Sequence, residues 1–229
     1  MTQTQKAIIF DASTLISLAM NGLLPELKKL KEIFKGKFII TKEVKKEIID
    51  KPITIKRFEL EALKLKQLLD AGILELPLSL QINEEDITKK SQEIMNLANV
   101  IFSANEKEIH LIDLGESSCL ALSKILSEKK INNAIAVDER TTRMLGEKPD
   151  NLHKLLKKKL HTQIIANKEN YKIFQGFNFI RSSELVYVAY KKGLVELKNG
   201  MVLDALLYAV KFKGCSISGE EIEEIKKIK

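Results

Sequence analysis

Two aspartates follow directly on short apolar runs of the kind that form buried strands: Ile8-Ile9-Phe10-Asp11 and Ile135-Ala136-Val137-Asp138. An ionised carboxylate at the end of such a run is costly unless it is exposed or paired, and the carboxyl ends of parallel strands line the ligand crevice of open sheets. Either aspartate alone reads equally well as the N-cap of a following helix, and Asp11-Ala12-Ser13-Thr14 suits that reading. Two at equivalent positions point to one shared site. Two glutamates can join them. Glu47 stands three residues after Val44 on a short helix expected behind the second apolar run, at the border of its apolar face; an ordinary surface glutamate among lysines explains it as well on spacing alone. Glu116 opens an apolar helix just after Gly115, and Asp113-Leu114-Gly115-Glu116 has the form of a capping box with Asp113 as the cap. That pattern needs no metal.

The elements that must position these acids alternate between strand and helix. Apolar runs rich in Ile, Val and Phe predict strands over Ala7–Phe10, Phe38–Ile40, Ala134–Val137 and Phe177–Ile180. Helical periodicity predicts helices over Thr14–Ala19, Leu23–Phe34, Lys42–Ile49 (stopped before Pro52), Phe58–Asp70, Gln92–Ser103 and Glu116–Ser127. Alternation of this kind implies an α/β fold with a mostly parallel sheet. Two stretches look added to that frame: Leu76–Glu108, with the polar run Asn83-Glu84-Glu85-Asp86 ahead of its helix, and the basic Glu147–Gln175. In the tail, Ser183 is a candidate cap for a helix to Lys192 ended by Gly193, Asn199-Gly200 a turn before a helix over Met201–Lys211, and Ser218-Gly219-Glu220-Glu221 a capping box for a last helix. There is no internal repeat and no low-complexity linker, so residues 1–229 read as one elaborated domain.

Composition narrows the classes of function. A chain of 229 residues, 45% hydrophobic and 30% charged, is globular rather than disordered. No apolar run approaches the roughly 18 residues of a membrane span, and the N-terminus lacks a signal peptide's apolar region; a cytoplasmic protein without a membrane partner is expected. The net charge of +7, from 38 Lys and Arg against 31 Asp and Glu, suits a polyanionic partner, although a run such as Lys157-Lys158-Lys159 reads more simply as a solvated helix face. Cys119 and Cys215 read as buried reduced thiols. His110, His153 and His161 lie away from the acidic motifs in sequence, against a histidine-based zinc site. Arg140, Arg143, Lys42, Lys45 and Lys46 lie close to the acids and could hold a phosphate backbone in a salt-sensitive way; offsetting the site's own charge is an equal alternative.

The run Ile8 to Ile16 around Asp11, then Glu47, then Leu114 to Leu122 around Glu116, then Ala136 to Leu145 around Asp138 resembles a PIN domain. The nearest likeness is to the prokaryotic, especially archaeal, branch with a Gly-Glu pair heading the third acidic helix. It spans most of residues 5–146 and resumes over 179–222, where Leu185–Gly193 and Leu203–Ser218 are similar to that branch's closing helices. No single motif is specific; the order and spacing of all four acids carry the likeness.

The resemblance implies a three-layer α/β/α sandwich with an insertion at 147–175 and helical closure at 182–229. It implies that Asp11, Glu47, Glu116 and Asp138 bind one or two divalent cations: Asp11 a principal ligand, Glu116 and Asp138 completing the shell directly or through water, and Glu47 holding a metal or orienting water. Ser13 matches a supporting hydroxyl, Asp113 accompanies Glu116, and Ser182 and Ser183 fall where many members carry a further polar or acidic group. Glu in place of the commoner Asp at the third position, no extra acid from the fourth strand and the long 147–175 segment depart from the pattern. Clustered carboxylates take up protons or recruit a cation, and oxygen-only ligands select Mg²⁺ or Mn²⁺. Such an ion activates water and neutralises charge in phosphodiester cleavage, leaving 5′-phosphate and 3′-hydroxyl ends. The implied function is an endoribonuclease, either the toxin of a toxin–antitoxin pair with an antitoxin partner or an RNA-processing enzyme, and homodimerisation through the tail helices is expected. A non-catalytic RNA-binding or scaffold protein of the same fold is the main alternative. An aspartate-nucleophile phosphatase would want an aspartate where Ser13 stands, and a dinucleotide-binding enzyme would want a glycine-rich turn after the first strand.

Overall fold

A computed structural model describes residues 6–228. The chain opens with β1 (Lys6–Phe10), α1 (Ala12–Met20), α2 (Leu24–Phe34), β2 (Lys37–Ile39) and α3 (Lys42–Lys45), the last continuing as a wider π turn over Lys46–Asp50. There follow α4 (Glu59–Asp70), α5 (Glu84–Asn99), β3 (Phe102–Ala104), β4 (Lys107–Glu108), α6 (Leu114–Glu128), β5 (Asn132–Ala136), α7 (Arg140–Glu147), α8 (Pro149–Leu160), β6 (Ile165–Ala166), β7 (Phe179–Ile180), α9 (Ser182–Lys191), α10 (Val202–Phe212) and α11 (Gly219–Lys227).

The main sheet has the order β2-β1-β5-β7, and all three pairings are parallel. Alanine, isoleucine and phenylalanine fill its centre, with Ile9, Phe10, Ile39 and Ala136 fully enclosed, as expected of strands covered on both faces. From β1 the chain crosses to β2 on one side, then returns past β1 to β5 on the other. Right-handed crossovers therefore put α1 and α2 on one face and α5 and α6 on the opposite face. α9 joins the first layer by packing against α1, α2 and α10, while α6 lies on β1 and β5 and packs against α5. The fold is α/β with a four-stranded parallel sheet, an arrangement compatible with three α/β/α layers. The reversal of direction falls between β1 and β5, the place where such sheets open a crevice at their carboxyl edge.

The added segments are built in. Residues 102–104 and 107–108 form a hairpin that β6 extends into a second, antiparallel sheet, and Leu152, Ile164, Tyr171 and Phe174 from the 147–175 stretch belong to the same core as the main sheet. One expected helix is corrected by this sheet. Instead of Gln92–Ser103, α5 starts at Glu84, capped by Asn83 (Oδ1 accepts from the Glu85 N–H at 3.1 Å) with Glu84, Glu85 and Asp86 in its first turn. Acids there favour the helix N-terminus, so the polar run is the helix's own beginning. Phe102 and Ser103 leave the helix to pair with β4 and β6, a long-range preference that local periodicity does not contain. Lys42–Ile49 likewise is helical only in part in the α sense, and β7 is shorter than the expected Phe177–Ile180. The last helix begins, as expected, with the Ser218/Glu221 box: Glu221 accepts from the Ser218 N–H at 2.8 Å and Ser218 Oγ from the Glu221 N–H at 3.1 Å. Among the described residues no helix is long and apolar enough to cross a membrane.

Candidate metal centre

Asp11 ends β1 and caps α1. Its Oδ2 accepts from the Ser13 N–H at 3.0 Å and from Ser13 Oγ at 2.6 Å, and the side chain is all but enclosed. Its backbone N–H donates to the Ala136 carbonyl at 2.9 Å, locking it beside the end of β5. Ser13 Oγ also accepts from the Asp138 N–H at 3.0 Å. One hydroxyl thus couples both strand-end aspartates. Burial holds the Asp11 carboxyl above the usual carboxylate range despite the Ser13 bonds, and Glu139 adds to the effect.

Glu116 heads α6. Its Oε2 accepts from the Asp113 N–H at 2.9 Å, the glutamate half of the expected box, and its Oε1 accepts from Thr142 Oγ1 at 2.6 Å. Both halves of its carboxylate are engaged, yet burial pushes it up to about 7, with Asp11 and Glu139 contributing. Glu47 lies on the π turn, whose extra residue per turn shifts side chains from their α-helical direction. It is open to solvent but stands against α6: a Cβ built on Gly115 would fall 2.8 Å from Glu47 Oε2. The glycine in the Gly-Glu pair therefore leaves room for Glu47. Partial burial raises the Glu47 carboxyl, then Asp11 and Asp113 raise it further, while Lys51 offsets part of this. Beneath the three acids lies Cys119, buried and unbridged, its thiol 3.8 Å from the Phe10 carbonyl oxygen. Burial pushes that thiol well up, and Asp11, Glu116 and Glu47 all push the same way. Asp11 ends β1, Glu116 heads α6 and Glu47 stands against Gly115 of α6, so the three acids share one end of the sheet.

Asp138 departs from expectation. It follows β5 next to Asp11, but its carboxylate turns to the start of α9: Oδ1 accepts from the Ser182 N–H at 2.7 Å and Oδ2 from Ser182 Oγ at 2.6 Å, with the whole residue enclosed. Burial raises this carboxyl, and the charge that adds to the effect is Glu184. Ser182 thus supports Asp138, whereas Ser183 Oγ donates to Glu184 at 3.1 Å and accepts from the Cys215 thiol at 3.6 Å. Ser183 is also inside α9 rather than its cap; Glu184 reaches back to the Arg181 N–H at 2.8 Å in that role. The acid that sequence reasoning missed is Glu139, immediately after Asp138. It caps α7 by accepting from the Thr142 N–H at 3.0 Å, the same threonine whose hydroxyl holds Glu116. Glutamate is not among the favoured N-cap residues, which was the available signal.

The basic residues divide. Lys46 and Arg140 are exposed, and Lys42 is exposed with its Nζ 3.6 Å from Glu84. Lys42 also borders a cleft of about 920 Å³, beside Leu78 and Gln81. Arg143 is corrected: it is largely buried, with Nη2 donating to the Ser216 carbonyl at 3.2 Å and Nε 3.8 Å from Glu147. It holds the tail segment and lines a small cleft with Glu147, Phe179 and Glu184. His110, only three residues before Asp113, has Nε2 2.7 Å from Asp113 Oδ1.

An oxygen-only donor set of Asp11, Glu47 and Glu116, with raised carboxyls in mutual repulsion, fits a hard divalent cation in chemistry. Among the described residues no three His, Cys, Asp or Glu side chains already stand at coordinating positions, so ligation requires side-chain rotation, for which the solvent-open Glu47 has freedom. No family model, no curated protein and no solved structure matches this chain.

Proposed function

We propose that the protein is a cytoplasmic, divalent-metal-dependent endoribonuclease, as the PIN-domain resemblance implies. The observation that carries this reading is that Asp11, Glu47 and Glu116 lie at the same end of the sheet, with burial pushing the Glu116 carboxyl up to about 7. A bound Mg²⁺ or Mn²⁺ supplies charge neutralisation and water activation at the scissile phosphodiester. The chain's own part is to hold the donors: Ser13 fixes Asp11, Thr142 and the Asp113 N–H fix Glu116, and Gly115 keeps Glu47 close. Lys42, Lys46 and Arg140 offer exposed positive charge for the RNA backbone. Hydrolysis by water leaves a 5′-phosphate and needs no 2′-hydroxyl as nucleophile. In this reading the partners are RNA and, for a toxin role, an antitoxin; a second copy of the chain could dock on the tail, where Met201 and Phe212 are exposed.

The test is cleavage of a mixed set of structured and single-stranded RNAs with Mg²⁺ or Mn²⁺, with end-group analysis. Wild type should cut and Asp11→Asn should lose at least about a hundredfold, the scale of losing a principal electrostatic group. Equal activity of the two would sink the assignment. A second reading is a non-catalytic RNA-binding scaffold, which fits the engagement of both Glu116 carboxylate oxygens by Asp113 and Thr142. It predicts salt-sensitive RNA binding with no cleavage in either protein.

A further inference from the structure

We infer that Asn199 is a site of self-modification: the Gly200 backbone nitrogen closes on the Asn199 side-chain amide, ammonia leaves, and the turn before α10 comes to carry aspartate or isoaspartate. The chain holds the Asn-Gly pair twice, at 21–22 and 199–200. Their surroundings leave only the second free to react.

Glycine favours this reaction because it has no Cβ to restrict the approach of its nitrogen to the preceding side chain. The Gly200 N–H gives its proton to solvent hydroxide, and the nitrogen bonds to Asn199 Cγ. The Cγ–Nδ2 bond then breaks, and Nδ2 takes a proton from water and departs as ammonia, leaving a five-membered succinimide. Water opens the ring at one of its two C–N bonds. The product is aspartate if the chain still runs through the backbone carbonyl, and isoaspartate if it runs through Cγ. The only other reactant is water.

The first pair is locked. Asn21 is half-buried at the end of α1, and its Nδ2 donates to the Ser17 carbonyl at 2.8 Å and to the Ala209 carbonyl at 3.3 Å. The Gly22 N–H donates to the Ala19 carbonyl at 3.1 Å. Leaving group and nucleophile are therefore both engaged. The ring also needs the glycine nitrogen on the Cβ side of the Cα–C bond, and the Asn21 backbone, at ψ 2°, holds it elsewhere. At the second pair both residues are exposed. Among the described residues neither the Gly200 N–H nor Asn199 Nδ2 has a hydrogen-bond acceptor. Asn199 Oδ1, in contrast, accepts from the Met201 N–H at 2.9 Å. That donor stands where negative charge gathers as the nitrogen attacks Cγ, the role of an oxyanion donor. The new carboxylate lowers the net charge of +7 by one. As aspartate it favours the start of α10, whereas isoaspartate puts an extra methylene into the main chain of a turn closed by the Val202 N–H on the Asn199 carbonyl at 3.1 Å.

The experiment ages the full chain in mildly alkaline buffer, folded and in urea, and follows both Asn-Gly peptides by mass spectrometry with isoaspartate detection. In the folded protein Asn199 should convert at least about tenfold faster than Asn21, whose hydrogen bonds must open first. In urea the two should convert at similar rates. Gly200→Ala meets open space and needs no left-handed backbone, so it should keep the melting temperature. It should slow conversion of Asn199 in the folded protein about tenfold, because the added Cβ narrows the backbone range open to the attacking nitrogen. Equal rates at Asn21 and Asn199 in the folded protein, or conversion of Asn199 in urea alone, overturn the inference. A Gly200→Ala protein that converts as fast as wild type overturns the ring-closing route.

Discussion

Two groups of acids in this molecule solve opposite problems. At the carboxyl end of β1 lie Asp11, Glu47 and Glu116, and all three carboxyls are held above their ordinary range, chiefly by burial. At the start of α9, Arg181 donates to Glu184 at 2.6 Å and to Glu221 at 2.7 Å, and burial is outweighed: Glu184 is lowered and Glu221 falls to about 2. The second cluster carries its own counter-charge and joins α9 to α11. The first has Ser, Thr and backbone N–H groups to orient its oxygens but a net negative charge to be met from outside the chain. The lesson is that charge balance, more than burial, separates a clasp from a candidate ligand set, since burial is the leading upward influence in both.

That contrast can be broken most forcefully at Arg181. Arg181→Met leaves Glu184 and Glu221 without their counter-charge and the Ser216 carbonyl with Arg143 as its remaining side-chain donor; the loss should be about 2–3 kcal/mol, below the full cost of breaking a buried pair because Glu184 and Glu221 keep partial solvent access. Urea denaturation measures it, and a midpoint unchanged from wild type would show that the clasp contributes nothing.

Next in size is the opposite sign at the other cluster. Glu116→Gln should stabilise the metal-free protein by about 1–2 kcal/mol at pH 8, a value discounted from the raised carboxyl for partial exposure. The direction follows from linkage: Glu116 titrates near 7 folded and near 4.5 unfolded, so the folded state binds the extra proton and wild type gains stability as pH falls through that window. The advantage of the glutamine should fade below about pH 5. Glu184 and Glu221 have lowered carboxyls, so their contribution is complete above about 4.5 and is lost as pH falls further. Metal-free wild type should therefore rise in stability from pH 8 to about 5 and decline below it; a profile flat from 8 to 5 would contradict the repulsion.

A smaller effect is expected at Gly115. Gly115→Ala puts a methyl 2.8 Å from Glu47 Oε2, so the end of the Glu47 side chain must shift away. Folding should be unchanged or slightly improved, because alanine favours the helix by up to about 1 kcal/mol, while Mn²⁺ affinity should fall a few-fold. Equal affinity would remove Glu47 from the ligand set. Smallest is Lys46→Ala, which should lower the slope of log affinity for RNA against log salt by about one and leave folding stability alone; an unchanged slope would place Lys46 off the RNA path.

Local chemistry made much of this molecule legible in its sequence. β-branched and aromatic runs marked β1, β2 and β5, because strands covered on both faces read as continuous apolar stretches. Asp11 as a cap, the Asp113/Glu116 pairing and the Ser218/Glu221 box all follow from spacing, since a helix start has unsatisfied N–H groups that only nearby side chains reach. Tertiary structure alone decided the start of α5 against β3, because a second sheet drew Phe102 out of the helical pattern. It also decided the destiny of Asp138 and Glu139. Successive residues leaving a strand project to opposite sides, but that Asp138 meets Ser182 while Glu139 caps α7 depends on what the distant α9 brings to β5, a contact 44 residues away that no local pattern encodes.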